Sequence, residues 1–237
     1  MSHGEKRAPW SRYPGEGLLI EGSLWSADHA HFAREMERID PFVDMYHVDV
    51  SDDHFVPGLL FFPDLLASLR PLTRRPFHVH LMVENPRRLI DDFARAGADL
   101  ITVHCENGPL VSESLRQIRE NKAAPGIALG LQAPVEALTP HLSEVDLVLL
   151  MGTPMGIKGI DLSPGAADRI RSLRHLLADR GVLESVKIVA DGGIRAGTVE
   201  ALRAAGADIL VAGSLLFKST DRAATSTWLR ALQTESL

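Results

Sequence analysis

Ionisable side chains mark the ends of several short apolar segments. His47 and Asp49 lie two residues apart, as do His78 and His80, and Asp191 ends another apolar run. Residues two apart on a β-strand point to the same face, so each pair shares a face. Isolated buried charges are costly, but two imidazoles and two carboxylates that converge can hold a divalent ion such as Zn²⁺, Mn²⁺, Co²⁺ or Fe²⁺. His78 is expected to be structural, because it lies one layer deeper. The candidate metal ligands are His47, Asp49, His80 and Asp191.

Small residues form a second group in three segments that follow the last predicted strands. These are residues 152–159 (GTPMGIKG), 191–193 (DGG) and 212–214 (AGS). Small residues let backbone N–H groups approach an anion, and barrels often bind phosphate with the loops after strands seven and eight. One glycine-rich loop would indicate only a turn, and one loop lysine only a solvated charge. Three such loops together predict a phosphate site, with Lys158 as a cationic contact.

The elements that must position these residues alternate between strand and helix patterns from residue 18 onward. Apolar residues recur at three- and four-residue spacing between the predicted strands, which is typical of helices. Strands that are almost entirely apolar suit a parallel sheet buried on both faces. Val48 and Val79 are expected to face the helices. The predicted strands are 18–23, 43–50, 77–82, 100–104, 126–129, 145–151, 186–190 and 209–212; the helical stretches include 32–39, 65–69, 89–94, 111–118, 170–177, 199–204 and about 222–232.

Eight strand–helix units predict an α/β fold, a single (β/α)8 barrel over residues 18–237. Its sites lie at the C-terminal ends of the strands, where the candidate residues fall. An open doubly wound sheet is the alternative, but no G-x-G-x-x-G follows the first strand. The hexapeptide AGADLI at 96–101 recurs as AGADIL at 205–210. Each copy places a glycine able to take positive φ between a helix end and a buried strand, and reuse of one turn chemistry explains the repeat.

Composition excludes several functional classes. The chain is 45% hydrophobic and 24% charged, with a formal charge of -6, so no nucleic-acid partner is expected. Cys105 is the only cysteine, which excludes an intrachain disulfide. No apolar run approaches the ~18 residues of a membrane span, so no membrane partner is expected. Residues 1–17 are polar, contain several Gly and Pro and lack the apolar middle of a secretory signal. We expect them to be a flexible N-terminal extension of a cytoplasmic protein.

The order and spacing of these motifs resemble the ribulose-phosphate 3-epimerase family of TIM barrels. The resemblance covers about residues 20–217, nearly everything but the extension and the tail. The segments that carry it are SLWSAD at 23–28, HVDVSDDHFVP at 47–57, HVHLM at 78–82, ITVH at 101–104, DGGI at 191–194 and VAGS at 211–214.

This resemblance implies a metal-dependent isomerase that inverts C3 of a phosphorylated ketose, most directly D-ribulose 5-phosphate to D-xylulose 5-phosphate. It implies one divalent ion (Zn²⁺, or Mn²⁺, Fe²⁺ or Co²⁺) on the four candidate ligands. Asp49 and Asp191 would be the acid–base pair, because two bases that flank one carbon can transfer its proton through an enediolate. Positions that the resemblance assigns to the substrate, its phosphate or the wall of the site are Ser23, His80, Met82, Met151, Gly156, Gly159, Gly192, Gly193, Gly213 and Ser214.

Several positions depart from the family pattern while the implied metal and acid–base positions remain. Ser51 stands where methionine is usual, Asp53 where Gly or Asn is usual, His78 where Asp is usual, and Val189 where Glu is usual. Two loops also differ: Gly130-Leu131 replaces Asn-Pro, and PMGIKG at 154–159 replaces Asn-Pro-Gly-Phe-Gly-Gly. The residues around the sugar are therefore the changed part of the pattern.

Other functions remain open on these grounds. The same site can serve an epimerase or isomerase of another sugar phosphate, such as a hexulose or tetrulose phosphate. A decarboxylating or condensing barrel would want a lysine among its central acids, and none lies near Asp49 or Asp191 in sequence. A non-enzymatic binding barrel would not need four intact ligand positions. A homo-oligomer is also open, since the apolar residues 59–62 suit a subunit contact, a helix cap or a lid equally well.

Overall fold

A computed structural model describes residues 17–235 as eight parallel strands in a closed barrel, ordered as in the sequence. The eighth strand pairs with the first, so the open-sheet alternative is wrong and the (β/α)8 barrel is confirmed. The predicted N-terminal extension lies, except for Gly17, outside the described residues. The strands are β1 (Leu19–Ser23), β2 (Met45–Ser51), β3 (Phe77–Met82), β4 (Leu100–His104), β5 (Ala124–Leu129), β6 (Leu147–Met151), β7 (Lys187–Asp191) and β8 (Ile209–Ala212).

Helices surround the barrel, and the connection after β5 differs from the rest. That connection, Val135–Glu144, is 3-10 rather than α-helical. Pro140 lies inside it and lacks the N–H that an α-helix would need there. In the described part of the chain, no helix combines the length and apolar character needed to cross a bilayer. The α-helices are α1 (Phe32–Ile39), α2 (Pro63–Leu69), α3 (Arg87–Ala96), α4 (Val111–Glu120), α5 (Ala166–Asp179), α6 (Val199–Ala204), α7 (Ser214–Phe217) and α8 (Arg222–Ala231); further 3-10 turns are Leu24–Ser26, His29–His31, Asp40–Phe42, Arg70–Leu72 and Cys105–Leu110.

Two apolar cores follow from the alternation of side chains along the strands. The larger core lies between strands and helices, and Val48 and Val79 belong to it, facing away from the barrel axis as expected. The smaller core fills the barrel interior with aliphatic side chains such as Leu149, Val189 and Ile209. The inward residues of β1 to β4 also include buried polar groups such as Glu21, His47 and His80, so the polar part of the interior lies on this side.

The repeated hexapeptide is one structural device used twice. The aspartate of each copy accepts a hydrogen bond from a backbone N–H of the strand before it: Asp99 from Phe77 (3.0 Å) and Asp208 from Ile188 (2.8 Å). The carboxylate therefore ties the start of one strand to the start of its neighbour. The common turn chemistry that explains the repeat also helps to hold the strands in register.

We predict that Gly97→Ala destabilises the barrel. Gly97 ends α3 with φ at +107°, a left-handed conformation that costs an L-residue about 1–2 kcal/mol. A Cβ there would also lie 2.6 Å from Cδ of Arg70, which must shift, so urea unfolding should show a loss of at least that size. Gly197→Ala is the matched control, because Gly197 has no positive φ and no atom within 4 Å of an added Cβ. Equal losses in both variants would contradict the backbone explanation.

Candidate active site

The four candidate ligands converge at the C-terminal ends of β2, β3 and β7. Nε2 of His47 lies 3.2 Å from Oδ1 of Asp49 and 3.7 Å from Oδ2 of Asp191. Nδ1 of His80 lies 3.3 Å and 3.5 Å from the same two oxygens. One donor atom from each residue lies within 4.8 Å of every other. The cluster depends on barrel closure. Because β8 pairs with β1, only two strands, β8 and β1, separate β7 from β2.

The donor set fits a divalent metal ion. His47 and His80 are fully buried, and Asp49 is 4% exposed. Nε2 of His47 is buried without a hydrogen-bond partner among the described residues, although two carboxylate oxygens surround it. Two imidazole nitrogens and two carboxylate oxygens are ligands that suit Zn²⁺ and its neighbours in the transition series. The cluster therefore has the chemistry and the unpaired donor atom expected of a metal centre.

Mutual attraction maintains the charges in this cluster. Burial alone would raise the pKa of the Asp49 carboxyl, but the positive charge of the neighbouring His47 and His80 imidazoles holds that pKa well below its usual range. Burial alone would lower the pKa of each imidazole, yet the neighbouring carboxylates raise the pKa of both. The Asp49 carboxylate is therefore ionised and the two imidazoles attract protons, which a bound cation would replace.

A buried carboxylate that the motif analysis missed lies directly below His47. Glu21 on β1 accepts hydrogen bonds from Nδ1 of His47 (2.7 Å) and Nδ1 of His78 (2.9 Å). Burial raises the pKa of Glu21, but the two histidines outweigh it and hold that pKa at about 2. Nε2 of His78 lies 2.7 Å from the Thr102 hydroxyl. The available signal was a charged residue two positions before Ser23 in an otherwise uncharged strand, hence on the same face.

A different group supports His80. Its Nε2 lies 2.8 Å from Nε2 of His104, whose Nδ1 lies 3.2 Å from Glu106. The backbone N–H of Gly130 donates to the other oxygen of Glu106 (2.7 Å). Burial lowers the pKa of His104 to about 4, so its ring is neutral. The network assigns the proton of that ring to Nδ1, where it is donated to Glu106. His80 then donates from Nε2 and presents Nδ1 to the centre.

A cavity of about 360 Å³ opens above the cluster, within the size range of small-ligand sites. His47 and His80 lie beneath it and do not line it. The other sequence-predicted site residues all line its wall. They are Ser23, Asp49, Met82, Met151, Gly156, Lys158, Gly159, Asp191, Gly192, Gly193, Gly213 and Ser214; lining residues that the sequence did not single out include Trp25, Ser26, Arg195 and Lys218.

Lys158 and Gly193, two residues predicted to contact a phosphate, lie at the rim of the cavity. Lys158 places its ammonium 4.8 Å from the centre of the Trp25 ring and hydrogen-bonds the Trp25 carbonyl. Partial burial and the charge of Lys218 lower the pKa of Lys158. Gly193 has φ at +69°, and a Cβ there would lie 2.8 Å from the Cα of Leu162. Because Gly193 has no side chain, two loops can meet closely at the rim, where Lys158, Arg195 and Lys218 also line the cavity.

Ser51 and Asp53, two residues that depart from the family pattern, both hydrogen-bond Gly58 in the loop after β2. The hydroxyl of Ser51 donates to the carbonyl of Gly58 (2.7 Å), and Asp53 accepts from the N–H of Gly58 (2.6 Å). Asp53 has φ at +60°, a conformation that Gly, Asn and Asp tolerate best. Neither side chain lines the cavity, so both stabilise the loop after β2.

The fold and the site place this chain in the class of (β/α)8 enzymes whose chemistry lies at the C-terminal ends of the strands. Comparison with known proteins narrows the class. The sequence profile of the Ribulose-phosphate 3 epimerase family matches residues 19–217. The chain belongs to that family and is an epimerase-type enzyme of carbohydrate chemistry.

Individual relatives agree with this assignment. The chain is 39% identical over 205 residues to the ribulose-phosphate 3-epimerase of Rhodobacter capsulatus, covering 85% of this chain and 86% of that one. It is 35% identical over 205 residues to the Escherichia coli K12 ribulose-phosphate 3-epimerase, covering 86% and 90%. The crystal structure of KGPDC from Streptococcus mutans superposes with a TM-score of 0.67 at 12% identity, covering 90% and 95%. This last likeness supports the fold alone.

Proposed function

We propose that the protein is a metal-dependent ketose-phosphate 3-epimerase that interconverts D-ribulose 5-phosphate and D-xylulose 5-phosphate. The pair Asp49 and Asp191 carries the proposal. These carboxylates reach one point at the cavity floor from β2 and β7, strands separated by β8 and β1. Relatives named for this reaction match most of the chain at 33–39% identity.

Inversion at a carbon beside a ketone needs a proton removed from one face and returned from the other. In the proposed mechanism Asp49 and Asp191 take these two roles and exchange them with reaction direction. The Ser23 hydroxyl donates to Oδ2 of Asp49 (3.3 Å) and orients that carboxylate. A divalent ion held by His47, Asp49, His80 and Asp191 would supply Lewis acidity that stabilises the enediolate charge.

The other end of the substrate is assigned to the glycine-rich rim. Backbone N–H groups of Gly192, Gly193 and Gly213, with the Ser214 hydroxyl, would bind phosphate, and Lys158 would add a positive charge. Binding a non-reacting phosphate fixes the sugar so that C3 lies between the aspartates. The remote contacts thereby contribute to turnover as well as affinity.

A second candidate is an epimerase or isomerase of another sugar phosphate, such as a hexulose or tetrulose phosphate. The specific observation is the loop after β6, where Pro154, Ile157 and Lys158 replace the family's usual residues and line the cavity. A panel of ketose phosphates in D₂O, followed by NMR, distinguishes the candidates. Exchange at C3 of ribulose 5-phosphate supports the first, and preferential turnover of a longer or shorter sugar supports the second.

The purified protein should carry about one divalent transition metal per chain. His47→Ala and His80→Ala should lower metal content and activity together, because each removes one imidazole ligand. Elemental analysis beside an activity assay measures both. His175→Ala is the control, since His175 is exposed on α5 and lies outside the cluster. Full activity in a verified metal-free sample would contradict metal dependence.

Lys158→Ala should raise KM for the phosphorylated sugar while barely changing that for the unphosphorylated sugar. The lysine is partly exposed, so the contact is worth at most roughly 1 kcal/mol, or about fivefold in KM. Steady-state kinetics with D-ribulose 5-phosphate and D-ribulose give the comparison. Equal changes for the two sugars would show that Lys158 does not contact the phosphate.

Asp49→Asn and Asp191→Asn should each lose turnover far more than substrate affinity. An amide keeps the shape and an oxygen ligand but cannot accept the proton, and a general acid–base group is worth about 10²–10⁴ in rate. Rapid kinetics on metal-loaded variants measures both quantities.

Isotope exchange makes this test sharper. A variant that keeps one base should exchange the C3 hydrogen of only one epimer with D₂O, and the two variants should prefer opposite epimers. Metal content is checked in both. The two-base assignment is wrong if both variants exchange the same epimer or if either epimerises at the wild-type rate.

A further inference from the structure

We propose that Glu21 is a positioning residue of the metal centre: its buried carboxylate holds His47 with the proton on Nδ1, so that the lone pair of Nε2 faces the other three ligands. The inference rests on the proposed function only in that a divalent ion binds there. It assigns a role to a residue below the cavity, which touches neither the cavity nor the four-ligand point.

The hydrogen-bond chemistry of the pair permits one arrangement of the neutral ring. An ionised carboxylate has only acceptors, so Nδ1 of His47, 2.7 Å from Oε2 of Glu21, is the donor. The opposite tautomer would set the Nδ1 lone pair against a carboxylate oxygen in a site with no exposure. In this neutral ring, which is the form that binds a metal, Nε2 carries no proton, and it is the buried nitrogen without a hydrogen-bond partner within the described chain.

Glu21 is itself held in place from the other side. Nδ1 of His78 lies 3.0 Å and 2.9 Å from its two oxygens, and the His78 ring packs edge-on against His47 with centroids 4.9 Å apart. The Thr102 hydroxyl, 2.7 Å from Nε2 of His78, completes the chain as a donor to that ring. Two buried side chains, His78 on β3 and Thr102 on β4, thus hold the Glu21 carboxylate of β1 beneath the His47 imidazole.

The two imidazole ligands are supported unequally. The far nitrogen of His80 meets the neutral ring of His104, whereas the far nitrogen of His47 meets a carboxylate. A carboxylate behind a ligating histidine makes the ring more basic and restrains its orientation, and losing such a partner typically weakens metal binding 10- to 100-fold. We therefore expect metal affinity to depend strongly on Glu21.

Glu21→Gln tests the role with little change in volume. The amide can donate to Nδ1, which favours the tautomer that protonates Nε2. Metal-free protein, prepared with a chelator, is titrated with Zn²⁺ against a chromogenic competitor. The variant should bind Zn²⁺ about 10- to 100-fold more weakly than wild type while retaining its far-ultraviolet circular dichroism. Affinity within twofold of wild type would overturn the proposal.

Thr102→Val is the matched control. It removes the hydrogen bond at the far end of the same buried chain and leaves the Glu21–His47 contact in place. Its Zn²⁺ affinity should stay within about threefold of wild type. A loss as large as that of Glu21→Gln would mean that packing, rather than the carboxylate, sets the affinity, and the proposal would fall.

Nitrogen-15 NMR of histidine-labelled wild-type protein tests the tautomer without any substitution. The Zn²⁺-loaded protein should show the His47 ring protonated at Nδ1 and metal-bound at Nε2. Metal binding through Nδ1, or an unprotonated Nδ1, would overturn the proposal even if the Gln variant failed to fold. Failure of the proposed function looks different: the wild type would bind Zn²⁺ with this tautomer yet leave C3 of the ketose phosphate unexchanged.

Discussion

Four ionisable side chains share a space less than 5 Å across at the centre of the barrel, and nearly all of their surface is buried. Burying ionisable groups costs desolvation free energy. Attraction between the two imidazoles and the two carboxylates lowers that cost, because the carboxylate oxygens face imidazole nitrogens. Each imidazole also needs a partner on its far side. Glu21 and the His104–Glu106 pair supply those partners, so residues on β1 and at the end of β4 support the four-residue cluster.

Polar and aliphatic side chains occupy different sides of the barrel interior. Inward residues of β1 to β4 supply most of the polar layer, while β5 to β8 supply mainly aliphatic side chains, with Asp191 at the top of β7 as the exception. An apolar wall excludes water and strengthens the attraction between charges. We propose that the loops above the cluster, which line the cavity, recognise an anion.

The departures from the family pattern follow the same division. Ser51 and Asp53 stabilise the loop after β2, and Val189 joins the aliphatic interior. His78 takes part in the layer below the centre, where Glu21 on β1 provides the buried carboxylate. The changed layer therefore lies beneath the four candidate ligands, and the changed loop that lines the cavity is the one after β6.

The sequence by itself determined the local order. Residue types and the spacing of apolar residues over a few positions set three features. These are the alternation of strands and helices, the common face of His47 and Asp49, and the repeated turn around Gly97. The same patterns predicted all the strand ends to within two residues. The exception among the connections, after β5, reflects a proline whose missing N–H acts against an α-helix.

Only the tertiary structure decided which distant groups meet. Barrel closure pairs β8 with β1 and thereby brings Asp191 within 3.7 Å of His47. The contact of Lys158 with Trp25 joins residues 133 apart, and the Glu21–His78 contact joins residues 57 apart. The physical reason is that a side chain's face depends on its own strand, whereas its neighbours across the interior depend on strand register and closure, which no local pattern contains.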